Sequence, residues 1–182
     1  MYFELKENRP HGTPEHPFSL YHIKNVPHAF QIPVHWHDEL EIIYVKSGSV
    51  HVTISGEHYI GNTGDAFVVS PGSLHFMGSH TGDVDYYTFL FPLEFVSFQM
   101  NDLSEQMLMA PLKSGRMLFQ IQIGKSIEDL CEHLLVLYAR EGDVRNPIRT
   151  TVPKDSAKRI SFVAKQMETK MILLEFLQRM WK

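Results

Sequence analysis

The sequence predicts a mainly β protein, an antiparallel sandwich or barrel, followed by C-terminal helices. Three observations lead there. Between about Ala29 and Phe91, short apolar runs alternate with turn signals at close, regular spacing, the pattern of antiparallel sheet proteins. After Pro92 that pattern stops and apolar residues recur at helical spacing instead. The length, 182 residues, suits one ordinary domain with a modest appendage and is short for two full domains.

The elements follow in order. The first residues, with Arg9 to Pro17 rich in Pro, His and Gly, have no period of either kind. They read as an extended arm, either a moving part or an unstructured terminus, leading into a strand near Phe18 to Ile23. Further strands are expected at Glu41–Lys46, Val50–Ser55, Glu57–Ile60, Ala66–Ser70 and Tyr86–Phe91. Their separators are Ser47-Gly48, Ser55-Gly56, Gly61 to Gly64, Pro71-Gly72 and Thr81-Gly82. The Met-rich stretch Val96–Leu112 reads as a short helix or a loop. Ile127–Tyr138 has apolar residues at 127, 130, 131, 134, 135, 137 and 138, the spacing of an amphipathic helix. Gly142–Pro153 reads as a linker.

From Asp155 or Ser156, either a suitable N-cap, a second helix is expected to run to the end of the chain. One stripe is Ile160, Val163, Ala164, Met167, Met171, Leu174 and Trp181; Ile172, Leu173, Phe176, Leu177 and Met180 form a second. Packing on one surface does not need so wide an apolar arc. Either the helix is sandwiched within its own domain or it meets a partner chain's helix. The partner is favoured, because the helix follows a linker and brings no second core with it. The division is thus an arm over 1–20, a β-domain over 21–112, and a linker with a helical dimerisation segment over 113–182.

Composition narrows the function classes. Hydrophobic residues make up 43% and charged residues 21% of the chain, globular values that exclude a disordered or low-complexity protein. No apolar run approaches the length of a membrane span, and the N-terminus lacks the basic-then-apolar pattern of a signal peptide. The lone cysteine, Cys131, excludes an internal disulfide and a multi-thiolate zinc site. A soluble, cytoplasmic chain is the expectation. Seventeen basic against 21 acidic residues leave a net charge of −4, which makes no electrostatic footprint for nucleic acid. The eleven histidines are the compositional clue to chemistry.

The informative stretch runs His35-Trp-His-Asp-Glu-Leu-Glu41 and on to Gly48. In an extended chain, His35, His37 and Glu41 share parity and can point to one face. Gly64-Asp65 opens a later strand that leads to Pro71-Gly72-Ser-Leu-His75. If the sheet closes into a small barrel, His75 is brought opposite the other three. Taken singly, each has an ordinary reading: strand-end histidines, a solvent-facing glutamate, a turn histidine. It is the compound spacing that points to a ligand set. Three imidazoles and a carboxylate suit a borderline divalent ion such as zinc, nickel, iron, manganese or copper, without choosing among them. His22, His28, His51, His58 and His80 fall in turns or exposed strand positions and take no role, and His133 reads as structural.

These two stretches resemble the paired motifs of the cupin superfamily. His35, His37, Glu41 and Gly48 match the spacing of its first motif. The second is matched less closely: Gly64 stands one residue too far from Pro71, Gly72 follows Pro71 directly, and Ser79 replaces the usual Asn. Ala29 stands where the first motif has Gly. The phrases RPHGTPEHPFSLYHI, HWHDELEIIYVKSGSVHVTISGEHY, GDAFVVSPGSLHF and DYYTFLF are similar to the N-terminal cupin domain of AraC-type transcription regulators, over nearly the whole chain. That resemblance implies a cupin-type antiparallel β-barrel (a double-stranded β-helix, or jelly roll) that binds a small-molecule effector, such as a sugar. It also implies helices that form a homodimer, and DNA binding through a separate C-terminal module of two helix-turn-helix units. Nothing after Asp155 offers two such units, and the apolar helix ends without a stop signal, which reads as a fragment of a longer regulator.

Two functions compete. The first is an effector-sensing and dimerisation domain, with no catalytic residue and with a divalent metal as its candidate cofactor. The second is a stand-alone metal-dependent cupin enzyme, an isomerase, epimerase or dioxygenase, with Glu39 or Tyr44 as the nominated acid or base. The linker-separated apolar helix argues for the first.

Overall fold

The computed structural model describes residues 3–24, 30–79, 83–138 and 152–181. The expected linker over 142–153 lies outside them apart from Val152 and Pro153, as do His28, His80 and the Thr81-Gly82 separator. Eight strands form: β1 Ser19–Lys24, β2 Phe30–His35, β3 Leu40–Ile54, β4 Glu57–Asn62, β5 Ala66–Val69, β6 His75–Ser79, β7 Val84–Phe91 and β8 Gln122–Gly124. Among the described residues the α-helices are α1 Ala110–Lys113, between β7 and β8, then α2 Glu128–Tyr138 and α3 Ser156–Trp181 after the sheet. None of the described helices is long and apolar enough to cross a membrane.

Every strand pair is antiparallel. One sheet runs β1-β7-β3-β5-β8, and a second joins β2 to β6, β6 to β3 and β3 to β4. The long strand β3 belongs to both. Its first half pairs with β7 and β5, and its second half, from Ser49, with β4 and β6. The ladder of the described strands is an open path and not the closed ring expected from the sequence.

The same strand corrects another expectation. Glu41–Lys46 and Val50–Ser55 are not two strands separated by a turn but one continuous strand of 15 residues. Ser47-Gly48 looked like a turn because glycine favours turns. Gly48 is instead paired with Val84, at φ 82, and a Cβ there would lie 2.1 Å from the Asp83 carbonyl oxygen. Close backbone approach, not chain reversal, requires the glycine. A register shift between Val45 and Ser47 bends β3, so that its two halves can serve two sheets.

The first sheet is buried on both faces. Leu40, Ile42, Tyr44, Ala66, Val68, Phe89 and Phe91 pack toward the helices, while Ile43, Val45, Phe67, Val69 and Tyr86 join a second apolar cluster with Val50, Val52, Ile54 and Met77. That explains why Ala66–Val69 is apolar without alternation: a strand covered on both sides has no solvent face. Three strands escape the sequence reading. β2 contains Pro33 and ends on His35, β6 is bounded by His75 and Ser79, and β8 is three residues long. The ambiguous stretch 96–112 follows a 3-10 turn, Leu93–Val96, and includes a π-helical turn, Glu105–Met109, that runs into α1.

The helix expected at Ile127–Tyr138 is present as α2, burying Leu130, Cys131, Leu134 and Tyr138. The terminal helix is present as α3, capped by Asp155, whose Oδ1 accepts from the Lys158 amide at 3.0 Å. Its two stripes part company. Ile172, Leu173, Phe176 and Leu177 are buried in the chain's own core, and Arg179 forks onto Asp129 of α2 at 2.6 and 2.7 Å. Ile160, Val163, Met167, Met171 and Trp181 stay open, between 49% and 74% exposed. The sandwiched and partner-seeking alternatives thus apply to different faces of one helix.

Candidate metal centre

The site lies where β2 ends and β3 and β6 begin. His35 is the last residue of β2 and pairs directly with His75, the first residue of β6. His37 lies two residues on, in the link to β3, and its carbonyl accepts from the Gly72 amide at 2.8 Å. Gly72, at φ 76, takes the left-handed conformation that turns the chain back toward β6. Glu41 stands on the β3 face that also carries Ile43 and Val45, opposite Leu40, Ile42 and Tyr44.

The four residues singled out from the sequence meet. His35, His37 and His75 each offer a ring nitrogen, and these atoms lie within 4.8 Å of one another. One oxygen of Glu41 is 3.2 Å from His37 Nε2 and 3.1 Å from His75 Nε2. Glu41, His37 and His75 are 3%, 2% and 1% exposed, and His35 is half-buried.

The backbone orients all three rings in the same way. His35 Nδ1 is 2.8 Å from the Pro33 carbonyl, His37 Nδ1 is 3.0 Å from that of Glu39, and His75 Nδ1 is 2.9 Å from that of Ser73. A carbonyl oxygen only accepts, so each Nδ1 carries the hydrogen and donates it. In the neutral ring, each Nε2 is left with its lone pair. This is the outer-shell arrangement that orients metal-ligating histidines.

Charge in the cluster is balanced by contact. Burial alone would raise the Glu41 pKa, but the two imidazoles at its oxygen prevail and hold it well below the carboxylate range. Burial likewise works to lower the pKa of His37, yet the hydrogen bond that Nε2–H of the protonated ring donates to Glu41, with the Glu41 charge, keeps it above its ordinary value. His35 is lowered, first by burial and then by the neighbouring His75. A metal–nitrogen bond is about 2.0–2.1 Å, so two ligand atoms are at most about 4.2 Å apart. The widest pair of the triad would close in by at least roughly half an ångström to bind. The donors fit a borderline divalent cation, with three imidazoles and a carboxylate.

Two residues near this cluster were not found from the sequence. The arm pairs with Trp36 through Glu7 N–H to Trp36 O at 2.9 Å and Trp36 N–H to Leu5 O at 3.1 Å. That bridge sets Glu7 beside the cluster, with Oε2 3.8 Å from His35 Nε2 and 3.4 Å from His11 Nε2. The His11 ring in turn stands edge-on to His37, with centroids 5.6 Å apart. No motif spacing marks Glu7 or His11, because a tertiary bridge brings them there. Tyr44, a nominated acid or base, faces the other way and donates to Glu132 of α2 at 2.5 Å. Glu39 reaches His37 Nδ1 at 3.7 Å. His22, read as roleless, is half-buried: it is paired with Asp85 at 2.7 Å and stacked on Tyr87.

Several solved structures are similar to part of this chain. The cupin protein BF4112 of Bacteroides fragilis is 24% identical over 41% of this chain and 64% of its own, with a TM-score of 0.35. The cupin domain of Schizosaccharomyces pombe Cnp3 is 14% identical over 41% of this chain and 54% of its own, at 0.35. A conserved Streptococcus pyogenes protein of unknown function, SPY1581, is 16% identical over 41% and 62%, at 0.35. The match thus spans less than two thirds of each of these three chains. Among curated proteins none matches the chain. The AraC-like ligand binding domain matches residues 11–148, which is more than half of the sequence and takes in all four clustered residues, so this chain belongs to that family.

Proposed function

We propose that this chain is the effector-sensing and dimerisation domain of an AraC-type transcription regulator, holding a divalent metal through His35, His37, Glu41 and His75. One observation carries the metal reading. Three buried or half-buried imidazoles have their Nδ1 hydrogens committed to backbone carbonyls, and the carboxylate of Glu41 lies among their ring nitrogens. Family membership supports the sensing role, with a small molecule as effector. The open stripe of α3 supports dimerisation: five large apolar side chains on one helix face are otherwise left to water. DNA contact would belong to a separate C-terminal module. The units 1–20, 21–112 and 113–182 would then act as arm, sensing domain and dimer segment.

In such a sensor the protein's part is linkage. An effector that fits two arrangements of arm, β-domain and helices unequally shifts their populations by its difference in affinity. The same donor set would suit a metal-dependent enzyme, with the metal as Lewis acid. The second nominated catalytic group, Tyr44, points away from it, which favours the sensor.

Elemental analysis of tag-free protein tests the metal reading, after incubation with zinc, nickel, iron, manganese or copper. The expected result is about one ion per chain in the wild type and none in His37→Ala, with the far-UV spectrum unchanged. Wild-type protein without metal after reloading would overturn it.

A further inference from the structure

The arm does more than pass the cluster. Its bridge to Trp36 lies on the residue between His35 and His37, so the arm is tied to the very segment that carries two of the imidazoles. Lys6 fixes it from one side, 2.6 Å from Asp38 Oδ2 and 4.9 Å from the centroid of the Trp36 ring. Glu7, the next residue, then faces the other way, toward His35 and His11. His11 is itself anchored by Tyr21 of β1 at 2.8 Å.

Two carboxylates therefore flank the three imidazoles: Glu41 from within the sheet and Glu7 from the arm. With neutral imidazoles that donor set carries two negative charges, the number that neutralises a divalent cation. Glu41 alone leaves one positive charge over in a half-buried place.

We infer that Glu7 is a further metal ligand supplied by the N-terminal arm, so that metal binding and arm docking are coupled. This rests on the metal site proposed above and goes beyond its four residues. The arm is a strap whose hold depends on the ion: the ion fastens Glu7 to the histidine cluster, and Glu7 tightens the ion. Linkage makes the two effects equal in free energy. His11 acts as a positioning residue that aims Glu7.

The test uses the full chain with zinc ions alone as the probe. Zinc affinity is measured by competition with a chromophoric chelator, and arm docking by the rate of tryptic cleavage after Lys6, with and without zinc. In the wild type, zinc slows that cleavage. Glu7→Gln keeps the side chain's size and removes its charge; it should bind zinc roughly tenfold or more weakly and lose the zinc-dependent protection. Glu4→Gln, an exposed acid on the same arm, should behave as wild type. Wild-type affinity and protection in Glu7→Gln would overturn the role of Glu7 while leaving the four-residue site standing. A wild type that binds no zinc would overturn the zinc-fastened strap, and one that binds none of the five ions would overturn the four-residue site with it.

Discussion

The arm has a second anchor, and it gives a sharp prediction about pH. His16 is 1% exposed and lies among Phe18, Phe95 and Phe162. A chain of hydrogen bonds fixes its tautomer. The Thr169 hydroxyl donates to Lys165 O at 2.9 Å, so it accepts from Tyr138 OH at 2.8 Å. The Tyr138 oxygen is then free to accept from His16 Nε2–H at 2.8 Å. Nδ1 is left as an acceptor, 3.4 Å from the amide nitrogen of Gln166. A proton on Nδ1 would meet another donor, in a site that already faces Lys165 and Lys170 of α3. Burial, then those two lysines, lower the His16 pKa from 6.5 to about 4.

The sign follows from which state holds the proton. Between pH 6.5 and about 4 the unfolded chain binds a proton at His16 that the folded chain refuses. The stability contribution is whole above 6.5 and is lost as the pH falls toward 4. Linkage puts the loss at about 2.5 kcal/mol between pH 7.5 and pH 4.5. Urea unfolding across that range, for the wild type and His16→Gln, measures it. Gln keeps a donor toward Tyr138 and does not titrate, so the carboxylates and other histidines cancel in the difference. The wild type should lose about 2.5 kcal/mol more than the variant. Parallel losses, within about 0.5 kcal/mol, would refute the buried neutral histidine.

Two more predictions concern the fold. Gly48→Ala should cost about 2 kcal/mol or more, because its φ of 82 and the Asp83 carbonyl 2.1 Å from the new Cβ are both backbone constraints; thermal unfolding reads it, and a neutral variant would mean β3 is not continuous there. On α3 the two faces should separate cleanly. Leu173→Ala, at a fully buried position, should lose about 2–5 kcal/mol. Met171→Glu, on the open face, should leave chain stability within about 0.5 kcal/mol but shift the proposed dimer to monomer in sedimentation. An unchanged dimer would remove that face from the interface.

The sequence alone determined the strands whose apolar runs are bounded by turn residues, and both long helices, because those signals are local. It also singled out the residues of the cluster, since His35, His37 and Glu41 share parity over seven residues, but the β2–β6 pairing that sets His75 against His35 came only with the tertiary structure. Only the tertiary structure decided that Ser47-Gly48 runs through one bent strand, since the reason is a neighbouring carbonyl from β7's approach. It alone divided α3 into a core face and an open face, because a wide apolar arc has the same pattern whatever covers it. The arm's part was illegible for the same reason. Glu7 and His16 are ordinary residues in a Pro-rich stretch until a bridge to Trp36 and a buried Tyr138, 122 residues away in sequence, give them partners.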